Sequence, residues 1–262
     1  HRESKESGIA LVKHLIGERG GAFLSREMFN LIINPRLLDP IRMLLASEEI
    51  VASAHRLRPK LPSLGSGIVP WHQDSGYLAE QCDEHLIITC WVPLVNATKE
   101  NGCLEILPRT HLRGVAPHHT GGNADFLVIK DGDLPADPKQ AITATCPVGG
   151  AVFMTNRTPH CSTPNSSDHI RWSVDLRYKS VEVPSNIGVE PTSIDGQGHA
   201  DAEFYKQVNV ACYPPEADFV VMSRDHPDRV IKYEDYVRLR ELYTRTKPSY
   251  PEVRSWPALS KV

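Results

Sequence analysis

The feature that most constrains this chain is a series of short apolar runs, rich in β-branched residues, between residues 50 and 178. The runs occupy 50–54, 86–95, 103–107, 126–129, 151–155 and 170–178. Turn-forming Gly, Pro, Asn and Ser residues separate them, which is a pattern typical of strands. Many short strands with turns between them favour a β-sandwich or barrel over alternating β–α–β units.

The segments on either side of this β region are predicted to be helical. Apolar residues recur near helical spacing over 9–16, and a second short helix is predicted over 27–33. Asp39 is predicted to cap a third helix that opens with Pro40 at its first position. A last helix is predicted over 233–246.

These segments are interpreted as one domain over residues 1–262. N-terminal helices occupy about 1–50, a β core occupies about 50–178, and a C-terminal extension with the last helix covers about 179–262. A chain of 262 residues can bury a sizeable core without disulfides or a structural metal.

The charge balance argues against two classes of partner. The chain has 29 Lys and Arg residues against 32 Asp and Glu residues, a formal net charge of −3, and no long block of like charge. Neither nucleic acid nor a membrane is therefore predicted as a partner, and the sequence carries no signal for an oligomeric state. The six cysteines form no C-x-x-C pair, and Cys90 and Cys103 have apolar neighbours. This usage predicts reduced core cysteines and a cytoplasmic location.

The 12 histidines are the one compositional hint of metal chemistry, and the first candidate segment is Trp71-His72-Gln73-Asp74. In an extended backbone, residues two positions apart point to the same side. His72 and Asp74 can therefore present an imidazole and a carboxylate to one point. A His-x-Asp pair is frequent by chance, so an ordinary surface pair is the alternative.

His160 is the candidate third ligand, and Arg171 follows eleven residues later in the strand predicted over 170–178. That strand alternates, so Arg171 and Ser173 share one face. A guanidinium and a hydroxyl that point into a pocket suit a carboxylate, whereas a solvated outer face is the alternative. Two histidines and one carboxylate form the facial triad of non-haem Fe(II) oxygenases, which leaves positions open for a 2-oxo acid and dioxygen.

With these residues in place, the chain resembles the phytanoyl-CoA dioxygenase family of Fe(II)/2-oxoglutarate-dependent oxygenases. The matching blocks are Trp71-His72-Gln73-Asp74, the stretch at 89–94, the stretch at 101–111, and Gly149-Gly150 through His160 to Arg171. The resemblance covers roughly half of the chain. It implies a mostly β fold with flanking helices, whose core is a double-stranded β-helix (a cupin-like jelly roll).

The resemblance also implies a set of site residues. The implied Fe(II) ligands are His72, Asp74 and His160, and the implied anchor for the cosubstrate 2-oxoglutarate is Arg171. Further cosubstrate contacts are implied for Thr89, Ser173 and His55, and a structural role is the alternative for His55.

The implied reaction hydroxylates a C–H bond of a small-molecule substrate, while 2-oxoglutarate and O2 become succinate and CO2. A zinc-dependent hydrolase with the same three ligands remains an alternative, although it does not explain Arg171. A non-catalytic jelly-roll binding protein is the other alternative, and the complete ligand set argues against it.

Overall fold

The computed structural model of this chain describes residues 25–53, 55–62, 68–78, 82–121, 126–183 and 218–238. In these ranges the α-helices are α1 (Arg26–Ile32) and α2 (Pro35–Leu45), and residues 233–238 are also helical. The strands, in chain order, are β1 (Glu49–Ala52), β2 (Arg56–Lys60), β3 (Ile87–Pro93), β4 (Leu104–Ile106), β5 (His119–Gly121), β6 (Phe126–Val128), β7 (Ile142–Ala144), β8 (Val152–Thr155), β9 (His160–Ser162), β10 (Arg171–Ser180) and β11 (Phe219–Ser223).

Antiparallel pairing organises these strands into sheets. The main sheet has six strands in the order β11-β1-β10-β3-β8, with β2 paired to β10 beside β1. A smaller sheet has the order β7-β4-β9, and β5 pairs with β6. A backbone bridge between His72 and His160 continues the pairing beyond the named strands. The prediction of a mostly β protein with flanking helices is confirmed.

Strand β10 is buried on both faces. Its outer face carries Val174, Leu176 and Tyr178, which are at most 1% exposed and belong to the main hydrophobic core. Its inner face carries Arg171 and Ser173, which are 3% and 0% exposed. The inner polar face is therefore not a solvated surface, and that alternative is excluded.

The helices cover the outer face of the main sheet. Three apolar side chains of α1, Met28, Phe29 and Ile32, join the main core, together with Leu38 and Ile41 of α2. The Tyr178 hydroxyl also donates a hydrogen bond of 2.8 Å to the carbonyl of Ile32. This packing leaves the inner face of the sheet to form the site.

A second core cluster lies on the inner side and joins the two sheets. Trp91 of β3 and Met154 of β8 pack in it with Leu104 and Ile106 of β4. These residues come from runs that the sequence predicts as strands, and the strands at all six runs are confirmed. Strands β2, β5, β7, β9 and β11 were not foreseen.

The predicted start of the third helix is wrong. Helix α2 begins at Pro35, and the Asn34 side chain accepts a hydrogen bond of 3.0 Å from the backbone N–H of Arg36. Asp39 is exposed within the helix, and Pro40 also lies inside it. Both prolines follow a capping residue in sequence, and the earlier Asn-Pro pair forms the actual N-terminus.

Of the other predicted helices, one is confirmed and two lie wholly or partly outside the described residues. The helix predicted over 27–33 is confirmed as α1. The helix predicted over 9–16, and the part of the last helix beyond residue 238, lie outside the described residues. None of the helices in the described ranges combines the length and hydrophobicity needed to cross a bilayer.

The corrected helix start predicts which residue stabilises α2. Asn34→Ala removes the cap of a backbone N–H, so we expect the free energy of unfolding to fall by about 1 kcal/mol in urea titrations. Asp39→Ala serves as the control and is expected to change it by less than about 0.5 kcal/mol, because Asp39 is exposed. An equal loss in both variants would contradict this assignment.

Candidate active site

The structure brings His72, Asp74 and His160 together. One potential ligand atom from each residue lies within 4.8 Å of the others, and all three side chains are buried. His72 and His160 are joined by two backbone hydrogen bonds, of 3.0 and 2.9 Å. Their rings stand 4.2 Å apart between centroids. The backbone pairing therefore sets the spacing of the two imidazoles.

Each imidazole is held in the tautomer that suits a metal ligand. The Nδ1–H of His72 donates to the carbonyl of Pro70, and the Nδ1–H of His160 donates to that of Thr158, both at 2.9 Å. In a neutral ring, this hydrogen bond leaves the lone pair on Nε2. Burial, together with the neighbouring His160, lowers the pKa of His72 to about 3, so this ring is neutral at ordinary pH.

Asp74 is a buried carboxylate whose oxygens are both engaged. Arg177 donates to Oδ1 through Nη2 at 2.7 Å and to Oδ2 through Nε at 3.1 Å. The hydroxyl of Thr89 also donates to Oδ2. Burial raises the pKa of Asp74, but the charge and hydrogen bonds of Arg177, together with the nearby His160 and His72, outweigh burial and hold the pKa well below the usual range. Asp74 is therefore an anion, and it begins a short 3-10 helix (Asp74–Tyr77).

Gln73, between two candidate ligands, fixes their segment to the neighbouring loops. Its Nε2 donates to the carbonyls of Gly114 and Arg157 at 2.9 and 2.6 Å, and its Oε1 accepts from the backbone N–H of Ala116 at 2.7 Å. The backbone N–H of Gln73 donates to Nε2 of the buried His118 at 2.9 Å. Sequence reasoning gave Gln73 no role of its own, since a lone Gln has no distinctive spacing.

Two cations lie side by side at another part of the inner face. Lys60 of β2 stands opposite Arg171 of β10 in the strand register, and both are 3% exposed. The Lys60 ammonium donates to the hydroxyl of Ser162, two residues after His160 on β9, and Arg171 donates to the hydroxyl of Ser173. Neither cation makes an ion pair with a carboxylate of the described residues.

The environment of the two cations fits an anionic ligand. Burial, and next the adjacent Arg171, lower the pKa of Lys60 to about 7. Nε of Arg171 is buried without a hydrogen-bond partner among the described residues. The Arg171 guanidinium also stands 5.2 Å from the ring centroid of Trp91. Sequence reasoning missed Ser162, although its alternation with His160 on β9 is the signal for a shared orientation.

The three further predicted contact residues lie in different places. Ser173 is beside Arg171, whereas Thr89 contacts Asp74. His55 is 1% exposed, and its Nε2 lies 3.3 Å from the hydroxyl of Tyr236, in the core on the helix side of the main sheet. The structure does not bring His55 to the triad, and its contacts favour the structural alternative.

The family of the chain follows from comparison with known proteins. The family model described as phytanoyl-CoA dioxygenase (PhyH) matches residues 6–173. The chain therefore belongs to the phytanoyl-CoA dioxygenase family of Fe(II)/2-oxoglutarate-dependent oxygenases, and the predicted family is confirmed.

Curated relatives match only part of their own length. Phytanoyl-CoA dioxygenase domain-containing protein 1 of Mus musculus is 32% identical over 122 residues, which cover 43% of this chain and 39% of that protein. A probable alpha-ketoglutarate-dependent hypophosphite dioxygenase of Stutzerimonas stutzeri is 28% identical over 162 residues, which cover 61% of this chain and 55% of that protein. The chain thus spans from about two fifths to just over half of these relatives.

A solved structure supports the fold class. The apo form of the non-heme monooxygenase ThoJ superposes with a TM-score of 0.56 at 19% identity, covering 83% of this chain and 75% of that one. At this identity the likeness shows the fold alone. The core is the double-stranded β-helix of this oxygenase class, as predicted.

A glycine beside the candidate ligands provides a test of the site's packing. A Cβ added at Gly76 would lie 2.6 Å from the buried His118 ring, which is hydrogen-bonded through both nitrogens. We expect Gly76→Ala to lower the free energy of unfolding by about 1–3 kcal/mol and to weaken metal binding, because the ring cannot yield freely. Gly132→Ala, with nothing within 4 Å, is the control. Equal thermal stability and metal affinity in both variants would contradict the close packing.

Proposed function

We propose that this chain is a non-haem Fe(II)/2-oxoglutarate-dependent dioxygenase that hydroxylates a C–H bond of a small-molecule substrate. The observation that carries the proposal is the combination of a buried His-Asp-His group with two buried cations that have no carboxylate partner within the described part of the chain. Family membership supports the same reaction class.

The donor set fits Fe(II). Two neutral imidazoles and one carboxylate are the ligands of the 2-His-1-carboxylate triad, and the proposed ligands are His72, Asp74 and His160. Hydrogen bonds from Nδ1 to backbone carbonyls orient both rings. When bound, Fe(II) together with 2-oxoglutarate and O2 supplies the oxidant for the C–H bond, with succinate and CO2 as products.

The two cations fit the remote carboxylate of 2-oxoglutarate. Arg171 offers a planar donor set with an unsatisfied Nε, and Lys60 adds a second positive charge beside it. Ser162 and Ser173 supply hydroxyls at the same place. Because Ser162 follows His160 by two residues on β9, both side chains point to one side, which links the anchor to the proposed metal ligands.

The chain's own work in this reaction is positioning and exclusion of water. The three side chains of the triad are buried, so electrostatic interactions between them are stronger than in water and reactive groups are kept from bulk solvent. A zinc hydrolase does not require two adjacent buried cations. A non-catalytic binding protein does not require histidines whose tautomers suit metal binding. Neither alternative has a specific observation in its favour.

A cytoplasmic location is also proposed. Cys82, Cys90, Cys103, Cys146 and Cys161 are buried and unbridged. Burial raises the pKa of Cys90 and of Cys161 to about 12, so these thiols are protonated and unreactive. Such cysteines suit a reducing compartment.

The proposed reaction predicts succinate formation. We expect the purified protein, with Fe(II) and ascorbate under air, to convert 2-oxoglutarate to succinate across a substrate panel, and His160→Ala to abolish this turnover. His169→Ala is the control, because the His169 side chain is 57% exposed and outside the site. Absence of both turnover and 2-oxoglutarate binding in the wild-type protein would refute the function, and a fully active His160→Ala variant would refute the triad.

The anchor predicts a pH-dependent affinity for 2-oxoglutarate. The pKa of Lys60 is about 7 in the unliganded protein, and a dicarboxylate binds the charged ammonium. Binding therefore takes up a proton, so the dissociation constant is expected to rise as pH increases above 7, by at most about tenfold per pH unit. Calorimetric titrations between about pH 6 and 8.5 measure this slope.

A Lys60 variant and its control test whether Lys60 causes the pH dependence of 2-oxoglutarate binding, and an Arg171 variant tests the other cation. Lys60→Met is expected to bind 2-oxoglutarate weakly with a flatter pH profile, whereas exposed Lys99→Met should keep the wild-type profile. Arg171→Gln is expected to weaken binding by at least about tenfold, since hydrogen bonds to charged groups contribute about 1.5–3 kcal/mol. An unchanged slope in Lys60→Met would show that another group titrates.

A further inference from the structure

The two carboxylate oxygens of Asp74 have different hydrogen-bond partners. The carboxylate oxygen that approaches Nε2 of His72, at 3.8 Å, is Oδ1. Arg177 Nη2 donates to this same oxygen. The other oxygen, Oδ2, accepts from both Arg177 Nε and the Thr89 hydroxyl. The two oxygens are thus held unequally.

This pattern limits how Asp74 can bind a metal. A carboxylate oxygen has two lone pairs, and both lone pairs of Oδ2 are occupied by donors. Oδ1 keeps one lone pair, since it accepts one hydrogen bond of those described. The planar, two-point contact with Arg177 also fixes the rotation of the carboxylate. Asp74 therefore offers a metal one oxygen.

The strand register builds this arrangement directly. Arg177 of β10 is paired with Thr89 of β3, so the two side chains are cross-strand neighbours on the inner face of the main sheet. Both reach the same carboxylate, which comes from a separate segment. Arg177 is 13% exposed at its side chain and Asp74 is 1% exposed, so water competes little for these contacts.

We infer that Arg177 and Thr89 are positioning residues that keep Asp74 a one-oxygen ligand. The inference rests on the proposed function. An octahedral metal held by two imidazoles and one carboxylate oxygen would keep three positions for a bidentate 2-oxo acid and dioxygen. A carboxylate that bound through both oxygens would occupy one of these three. The pair of donors therefore preserves the position that the cosubstrates require, and Thr89 acts through Asp74.

The test uses anaerobic Fe(II) binding and the visible charge-transfer absorption that appears when 2-oxoglutarate chelates Fe(II) through two atoms. Thr89→Val removes one hydroxyl at nearly constant volume. We expect it to bind Fe(II) within about threefold of wild type but to weaken 2-oxoglutarate chelation by about tenfold, with a fainter band. We expect Arg177→Met to weaken 2-oxoglutarate chelation more than Thr89→Val does.

Two further variants separate positioning from charge and from general stability. Arg177→Lys keeps the charge but loses the planar contact, so it should fail to restore the band fully. Arg58→Met removes another ion pair of the same sheet, with Asp175, and should leave Fe(II) affinity and the band unchanged. Thermal unfolding of each variant controls for misfolding.

The outcomes distinguish this inference from the proposed function. If wild type binds Fe(II) and chelates 2-oxoglutarate while Thr89→Val and Arg177→Met do so equally well, the positioning role is refuted and the function stands. Full recovery in Arg177→Lys would assign the effect to charge alone and also refute it. If Arg177→Met does not fold, Thr89→Val decides. If wild type binds no Fe(II), the proposed function fails first.

Discussion

The structure depends on one constraint, the burial of strand β10 on both faces. Its outer residues pack against the helices, so its inner residues must lie inside the protein whatever their charge. Buried charges are costly unless they are paired. Partners are drawn from elsewhere: Asp74 reaches Arg177, and Asp218 reaches Lys179 at 2.7 Å. Arg171 is the exception on this strand, because it forms no ion pair with any carboxylate that the structure describes.

The same constraint explains why the site divides along the strand. Near its beginning, Arg171 stands beside Lys60 and the hydroxyls of Ser162 and Ser173, and neither cation forms an ion pair with a described carboxylate. Near its end, Arg177 is neutralised by Asp74. One strand thus presents one cation for the proposed dicarboxylate and another that pairs with the proposed metal ligand, and its side-chain alternation keeps both on one face.

Much of this arrangement can be predicted from the sequence. The rest cannot, because it depends on contacts between distant parts of the chain. The rule that alternate residues share a face is enough to group His72 with Asp74 and to place Arg171 with Ser173. Strand β2 escapes prediction because Arg56 and Arg58 make it resemble a solvated charged run. Its orientation depends on pairing with β10, which is a long-range contact that no local pattern contains.

The backbone pairing of His72 with His160 ties the proposed metal site to the pairing of the strands. The two residues are distant in the chain, and two backbone hydrogen bonds bring them together. Strand pairing and core packing offset the entropy that is lost when the long loop between them closes. A zinc finger, by contrast, depends on metal binding to fold. Removal of the metal by a chelator should consequently leave a folded protein that can be reloaded.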